Sequence, residues 1–273
     1  MTAPRTVLLT GAAGGLGTLM RDLLPPHGYD LRLFDVRPVE GDTGGSTVIT
    51  ADLSDRDALR EAVHGVDAVL HLAGISLEST FDKILAANIQ GTHNLYEAVR
   101  EEGVRRVVFA SSNHAVGFTP RPPDGSGAVT AAVPHRPDTF YGLSKCFGED
   151  LGALYWDRHG VETVAVRIGS CYAEPPDVRA LSTWLSPDDC GRLFHAALTA
   201  PDVGHTVVYG SSANTRIWWD LSGARALGYA PRDDSERFAA ALTAAHGALV
   251  PDDPRTSRLG GPFCVDPPLY GGS

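Results

Sequence analysis

Tyr141 and Lys145 stand four residues apart in Tyr141-Gly-Leu-Ser-Lys145, a spacing that brings two side chains onto one face of a helix, one turn apart. A phenol beside an ammonium group is a proton-transfer pair. A tyrosine of ordinary pKa, about 10, is a poor base at neutral pH, and a neighbouring cation favours its phenolate. Each unit of lowering requires about 1.4 kcal/mol. Upstream, Phe109-Ala-Ser111-Ser112-Asn113-His114 closes an apolar run, where a serine hydroxyl can face the same pocket. A Tyr-x-x-x-Lys pair alone recurs by chance in many chains; its weight comes from company.

That company is the turn Gly11-Ala-Ala-Gly14-Gly15-Leu16-Gly17. Glycines between a strand and a helix permit a tight turn and bring backbone N–H groups to a pyrophosphate at the positive helix end. Phe34-Asp35 stands 18 residues beyond Gly17, at the end of the second apolar run, where a carboxylate accepts both adenosine ribose hydroxyls. The same carboxylate repels a 2′-phosphate, since two unit charges at about 4 Å cost on the order of 4 kcal/mol near a surface. NAD is therefore expected rather than NADP, and its positive nicotinamide is expected to act together with Lys145 in favouring the Tyr141 phenolate. Arg37 has two readings, a phosphate acceptor or a solvated charge. Ala51-Asp52-Leu53 and His71-Leu72-Ala73-Gly74 follow the third and fourth runs; Asp52 reads either as an adenine contact or as a turn residue before a helix, and small residues at 73 and 74 let a cofactor lie against the backbone. The expected cofactor set adds Gly15, Leu16, Val36, Leu53 and Leu72 to the glycines 11, 14 and 17, with Asp35, Asp52, Ala73, Gly74, Tyr141 and Lys145.

The elements that position these groups alternate. Thr6–Thr10, Leu31–Phe34, Thr47–Ala51, Ala68–Leu72, Val107–Ala110, Thr163–Ile168 and Thr206–Tyr209 read as strands, and Leu16–Leu24, Asp55–Val63, Phe81–Glu102, Tyr141–Arg158 and Pro187–Leu198 as helices. Continuous apolar strands alternating with helices predict an α/β fold, a doubly wound Rossmann-type parallel sheet covered on both faces. Thr119–Pro137 is rich in Pro, Gly and Arg and predicts a loop over the carboxyl edge of the sheet, where ligands bind in such folds. The segment from Cys171 to Pro187 and the tail after Pro231 are also irregular. The expectation is one domain over 1–273, with cofactor and catalytic core mainly in 1–170 and a small C-terminal substrate-binding lobe mainly in 171–273.

Composition sets limits. Of 273 residues 43% are hydrophobic and 21% charged, enough for a packed interior and unlike a disordered chain. The formal net charge of −10 disfavours nucleic acid or an anionic membrane as partner, and an anionic substrate then needs a local cation. Only about five apolar residues precede the first glycines, short of a signal peptide or membrane span. Four cysteines form no Cys-x-x-Cys pair and ten histidines no His-Glu-x-x-His spacing, so neither a disulfide framework nor a metal site is expected. A reducing cytoplasm is the compartment these features predict.

The chain resembles the extended short-chain dehydrogenase/reductase family over nearly its full length, on TGAAGGLG (10–17), Asp35, Asp52-Leu53, HLAG (71–74), NIQGT (88–92), SSNHAVG (111–117) and YGLSK (141–145). The resemblance implies a catalytic group of Ser112, Tyr141 and Lys145. Ser112 rather than Ser111 follows from counting back from Gly117, and Asn88 is implied to support Lys145 through water. Family members that epimerise or dehydrate nucleotide-sugars are usually longer and carry an arginine strand ending in Tyr-Gly-Pro, whereas Val166-Arg167-Ile168-Gly169-Ser170-Cys171 has no such turn. A non-catalytic dinucleotide sensor would have no need of Ser112, Tyr141 and Lys145.

Instead GISLE (74–78), FASSNH (109–114), YGLSKCFGE (141–149), RIGSC (167–171) and LSTWLSPDD (181–189) are similar to uronate dehydrogenases. These are enzymes that oxidise the C1 hydroxyl of galacturonate or glucuronate with NAD to the aldaric acid lactone. That likeness implies Ser76, Ser112, Asn113, His114, Tyr141 and Ser170 on the sugar, and Ile168 and Cys171 near the nicotinamide. No base is placed for Cys171 by sequence, so it reads as packing rather than as a nucleophile. Arg179, in the irregular segment, reads as a bidentate partner for the uronate carboxylate or as an ordinary exposed arginine. Family members carry glutamine where Gly15 stands here. The resemblance also implies a homo-oligomer, a hexamer among its forms.

Overall fold

The computed structural model describes residues 5–122, 128–250 and 252–266. Its strands are β1 (Thr6–Thr10), β2 (Asp30–Asp35), β3 (Thr47–Thr50), β4 (Ala68–His71), β5 (Arg106–Ser112), β6 (Glu162–Ile168), β7 (Ser170–Cys171), β8 (Trp184–Leu185) and β9 (His205–Gly210). Seven form one sheet in the order β3-β2-β1-β4-β5-β6-β9, with every pairing parallel. The helices are α1 (Gly15–Leu23), α2 (Arg56–Val63), α3 (Phe81–Ile84), α4 (Gly91–Glu101), α5 (Phe140–His159), α6 (Ala180–Thr183), α7 (Pro187–Thr199), α8 (Ser222–Ala226) and α9 (Ala239–His246).

Strand alternation divides the core. Val7 and Leu9 join a cluster with Met20 of α1 and Leu193, Phe194 and Ala197 of α7, while Leu8 between them joins Leu59 of α2, Leu95 and Val99 of α4 and Leu151 of α5. Helices on both faces thus bury the inner strands from either side. This is the doubly wound arrangement the alternation predicts, and complete burial of each such side chain contributes about 1.5–3 kcal/mol. Strand order reverses between β1 and β4, which opens a crevice at their carboxyl ends.

Local chemistry sets the helix starts. The side chains of Asp55, Thr139 and Ser186 accept N–H groups at the heads of α2, α5 and α7, at 3.0, 2.9 and 3.0 Å respectively. Three expectations change. The helix expected over Phe81–Glu102 is interrupted by a π-helical stretch, Leu85–Gln90, between α3 and α4. Strand β3 is an edge strand with mostly exposed residues rather than a strand buried on both faces. β5 continues past Ala110 through Ser111 and Ser112, so both serines stand on the sheet.

The segment after Ile168 is less irregular than predicted. β7 and β8 pair in a separate two-stranded sheet, and small apolar clusters form around Trp218, Trp219 and Leu259 and around Val178, Leu181 and Ala239. The described parts of the 119–137 loop are held by isolated bridges, Pro120 to Arg258 and Val129 to Trp219; residues 123–127 of that loop lie outside the described residues. No helix among the described residues is long and apolar enough to cross a membrane.

Candidate active site

The carboxyl ends of β1, β2, β4, β5 and β6 open into one cavity of about 1020 Å³, large enough for a dinucleotide and a small sugar together. Every residue expected to touch cofactor or substrate lines it except Asn88.

At the cofactor end β1 stops at Gly11, whose φ of +75° lies in the left-handed region, and a side chain there would come within 2.7 Å of the Ala73 nitrogen. A Cβ on Gly17 would lie 2.0 Å from the Gly11 carbonyl oxygen, whereas one on Gly15 would meet nothing within 4 Å. Close packing therefore demands glycine at 11 and 17 and not at 15, so the family's glutamine at that position has room. α1 begins at Gly14 with no side-chain cap, which leaves the positive helix end for a pyrophosphate. Asp35 is 6% exposed. Its Oδ2 accepts the Ala13 N–H and its Oδ1 the Arg37 N–H, both at 2.9 Å. Arg37 folds back on the turn, donating to the Ala13 carbonyl at 2.7 Å with its Nε 3.7 Å from Asp35. Asp52 accepts from the Ser54 N–H at 2.8 Å, a turn contact, and the cap of α2 is Asp55. These residues fit NAD: the Gly11–Gly17 turn would hold its pyrophosphate and Asp35 its adenosine ribose. His71 bridges Thr10 and Thr92 at 2.8 and 3.1 Å, and burial next to the Lys145 ammonium pushes it down to about 3, so it is neutral.

At the catalytic end the head of α5 is clamped twice. Thr139 caps Gly142, and the Glu78 carboxylate accepts the N–H groups of Phe140 and Tyr141 at 3.2 and 2.9 Å. Lys145 Nζ lies 5.4 Å from the centre of the Tyr141 ring and 5.0 Å from that of Phe109. Burial pulls Lys145 down to about 8, opposed by the negative charge of Glu149. Tyr141 is pushed up to about 12 by burial, with a Ser112 hydrogen bond pulling the other way and Asp138 adding to the rise. Burial thus opposes the phenolate that Lys145 and a positive nicotinamide are together expected to favour.

The two serines differ in their partners. Ser111 donates to Glu149 at 2.5 Å, while Ser112 hydrogen-bonds Tyr141. Asn88 lies on the π-helical stretch, which aims it at Ile75, donating to the Ile75 carbonyl at 2.9 Å and accepting its N–H at 2.7 Å. It also donates to Ser144 at 3.0 Å. Asn88 thus pins the loop after β4 to α5, behind the cavity wall rather than in it.

At the sugar end His114 Nδ1 bonds the Asp138 carboxylate at 2.7 Å, its ring stacks on Phe263 at 4.2 Å and stands edge-on to Tyr141 at 5.7 Å. Ser170 is bonded to Thr183 at 2.9 Å. Arg179 is half-buried, with its Cζ 5.5 Å from the Trp218 ring centre. Its Nη2 donates to the Leu259 carbonyl, and its Nε has no hydrogen-bond partner among the described residues. Burial lowers its pKa. Sequence reasoning missed the wall formed by Gly260, Pro262 and Phe263. Its only trace was a Gly-Gly-Pro in an otherwise featureless tail.

The NAD dependent epimerase/dehydratase family matches residues 7–185. A uronate dehydrogenase of Pseudomonas syringae pv. tomato is 49% identical over 96% of this chain and 94% of its own length. One from Pseudomonas putida is 48% identical over 96% and 97%. A uronate dehydrogenase from Agrobacterium tumefaciens, solved as a tyrosine-to-alanine mutant complexed with NAD, superposes with a TM-score of 0.90 at 43% identity, over 97% of this chain and 99% of that one. Since the match runs from β1 through β8 and the likeness to these relatives continues to the far wall of the cavity, the chain belongs to the NAD dependent epimerase/dehydratase family.

Proposed function

We propose that this protein oxidises the C1 hydroxyl of a hexuronate, galacturonate or glucuronate, with NAD, releasing the aldaric acid lactone. The observation that carries the reading is that Ser112, Tyr141 and the half-buried cation Arg179 line the same cavity as the glycine turn, and the near full-length likeness to uronate dehydrogenases supports it.

In this reading the Arg179 guanidinium, which lines the cavity, holds the uronate carboxylate. Ser76, Asn113, His114 and Ser170 match the sugar hydroxyls, so that a sugar with the wrong pattern leaves buried polar groups unpaired. NAD, when bound, would supply the hydride acceptor and a positively charged nicotinamide, and Ile168 and Cys171 of the cavity lining would lie beside that ring. Ser112 steadies the C1 oxygen. Tyr141 takes the C1 hydroxyl proton, and Lys145 holds the ribose and favours the phenolate. Asn88 keeps the Ile75 loop and α5 in register. The cofactor contacts are those of Gly11, Gly14, Gly15, Leu16, Gly17, Asp35, Val36, Asp52, Leu53, Leu72, Ala73 and Gly74.

The protein is further read as a cytoplasmic homo-oligomer of single-domain subunits, with the sugar-binding lobe mainly after residue 170. Free thiols at Cys146, Cys171, Cys190 and Cys264 suit a reducing compartment, and exposed Leu77, Phe81, Leu85 and Leu143 offer an apolar face to another subunit. Light scattering checks the assembly, for which family likeness implies a homo-oligomer, a hexamer among its forms. The test of function is NADH absorbance after mixing protein, NAD and either uronate: stoichiometric NADH is expected, and its absence with both sugars overturns the reading.

A further inference from the structure

Behind the catalytic pair, one turn beyond Lys145 on α5, stands a carboxylate that touches neither cofactor groove nor sugar pocket. Glu149 is 1% exposed. Its Oε1 accepts from Ser111 Oγ at 2.5 Å and Arg167 Nε at 2.9 Å, and its Oε2 from Arg167 Nη2 at 2.7 Å and His135 Nε2 at 2.8 Å. Ser111 precedes Ser112 on β5, and Arg167 precedes Ile168 on β6. One carboxylate therefore joins the two strand ends and the helix that together carry the expected proton-transfer machinery.

The charges around this joint are complete enough to assign signs. Burial pushes Glu149 up, but bonds from His135 and Arg167 outweigh it and hold the carboxyl at about 2. Its contacts with Cys146 and Glu149 raise His135 to about 10, so it is cationic at neutral pH. Asp150 of α5 lies 3.7 Å from the other side of His135, and His205 and Tyr209 of β9 face the same cluster. Lys145 is faced by Tyr141 on its own helix, by the neutral His71 of β4 and by the Phe109 ring of β5. Among these, Glu149 is the anion that opposes the cost of burying the ammonium group.

We propose that Glu149 is a positioning residue that keeps the Lys145 ammonium charged and locks Ser112 to Tyr141 and Lys145 by holding β5, β6 and α5 at one point. The proposal rests on the reading of Tyr141 and Lys145 as the catalytic pair. Removing the carboxylate charge moves the Lys145 titration down; removing the opposing His135 cation moves it up.

The experiment is a pH series from 6 to 10 on wild type, Glu149→Gln, Glu149→Asp and His135→Gln. NADH binding is read by fluorescence, kcat with a uronate, and Tm in the same buffers. In Glu149→Gln the alkaline loss of NADH affinity and of kcat is expected about one pH unit lower, an effect of about tenfold at a fixed pH on that limb. Glu149→Asp returns the limb toward wild type, and His135→Gln, at the half-exposed rim of the cluster, moves it upward. An unmoved limb in Glu149→Gln with only a lower Tm overturns the proposal. If that variant does not fold, a His135→Gln limb that stays or moves downward overturns it. The binding series needs no sugar, so shifted NADH titrations without uronate turnover in wild type reject the substrate and leave the Glu149 assignment standing.

Discussion

Arg179 and Leu259 are joined across 80 residues of sequence by a hydrogen bond from guanidinium Nη2 to the backbone carbonyl. Asn113 donates to the same carbonyl at 2.9 Å. One peptide group thus orients two polar side chains of the sugar end. The approach is tight: a Cβ on Gly261 would lie 2.6 Å from Arg179 Nε, so the tail passes over the arginine as bare backbone.

Replacing Arg179 by alanine removes the expected partner of the substrate carboxylate. A charge-assisted bond is worth roughly 1.5–3 kcal/mol, so kcat/KM for uronates is expected to fall about 10- to 150-fold, mostly through KM. A neutral aldose should lose far less, and equal losses for both would remove the carboxylate role. Arg179→Lys recovers only part, because an ammonium group cannot pair bidentately.

Tyr141→Phe should abolish turnover and leave NADH binding within a few-fold of wild type, measured by fluorescence titration. Measurable kcat in this variant would show that the C1 proton leaves by another group.

The two glycines of the turn should behave oppositely. Gly17→Ala puts a methyl group 2.0 Å from the Gly11 carbonyl, and calorimetry should show NAD binding weakened at least tenfold with a lower Tm. Gly15→Gln enters open space and should leave both nearly unchanged; a large loss there would mean that the groove is narrower than the free backbone suggests.

Acid stability should depend on Glu149. Its folded pKa of about 2 lies below the ordinary 4.5, so it binds a proton more readily unfolded. That stabilisation is present above about pH 4.5 and disappears as pH falls toward 2, a contribution on the order of 3 kcal/mol. Urea unfolding at pH 6 and pH 3 should show the difference, and it should shrink in Glu149→Gln. An undiminished pH dependence in the variant would assign acid lability to other carboxylates, such as Glu97, which Arg100 and Tyr155 also hold down.

Phe263→Ala removes the ring stacked on His114. KM for the uronate should rise several-fold while NADH affinity holds, since Phe263 lines the cavity against His114, a proposed sugar contact. A matching loss of NADH affinity would instead make the tail part of the cofactor site.

The order of strands and helices up to Ile168 was legible because each buried run is short, apolar and bounded by turn residues, and the glycine turn and Tyr-x-x-x-Lys pair have local spacings that imply local geometry. Less local features were not. The π-helical stretch at 85–90 keeps a helical pattern in sequence, yet it decides that Asn88 meets Ile75. The Ser111 and Ser112 roles depend on Glu149, 38 residues from Ser111. The tail wall depends on Leu259 N–H reaching the Thr119 carbonyl at 3.0 Å. For Tyr141, motif spacing reveals a cation nearby but not the degree of burial that opposes it.

The tail wall also gives the cavity an order of completion. A chain made from its N-terminus presents the glycine turn early, and the strand end that carries Ser112 and the helix that carries Tyr141 and Lys145 are synthesised before residue 170. Leu259, Pro262 and Phe263 follow some 90 residues or more later. A nascent or C-terminally clipped subunit therefore carries the glycine turn, Ser112, Tyr141 and Lys145 before it has the wall of Gly260, Pro262 and Phe263, the last part of the cavity to be made.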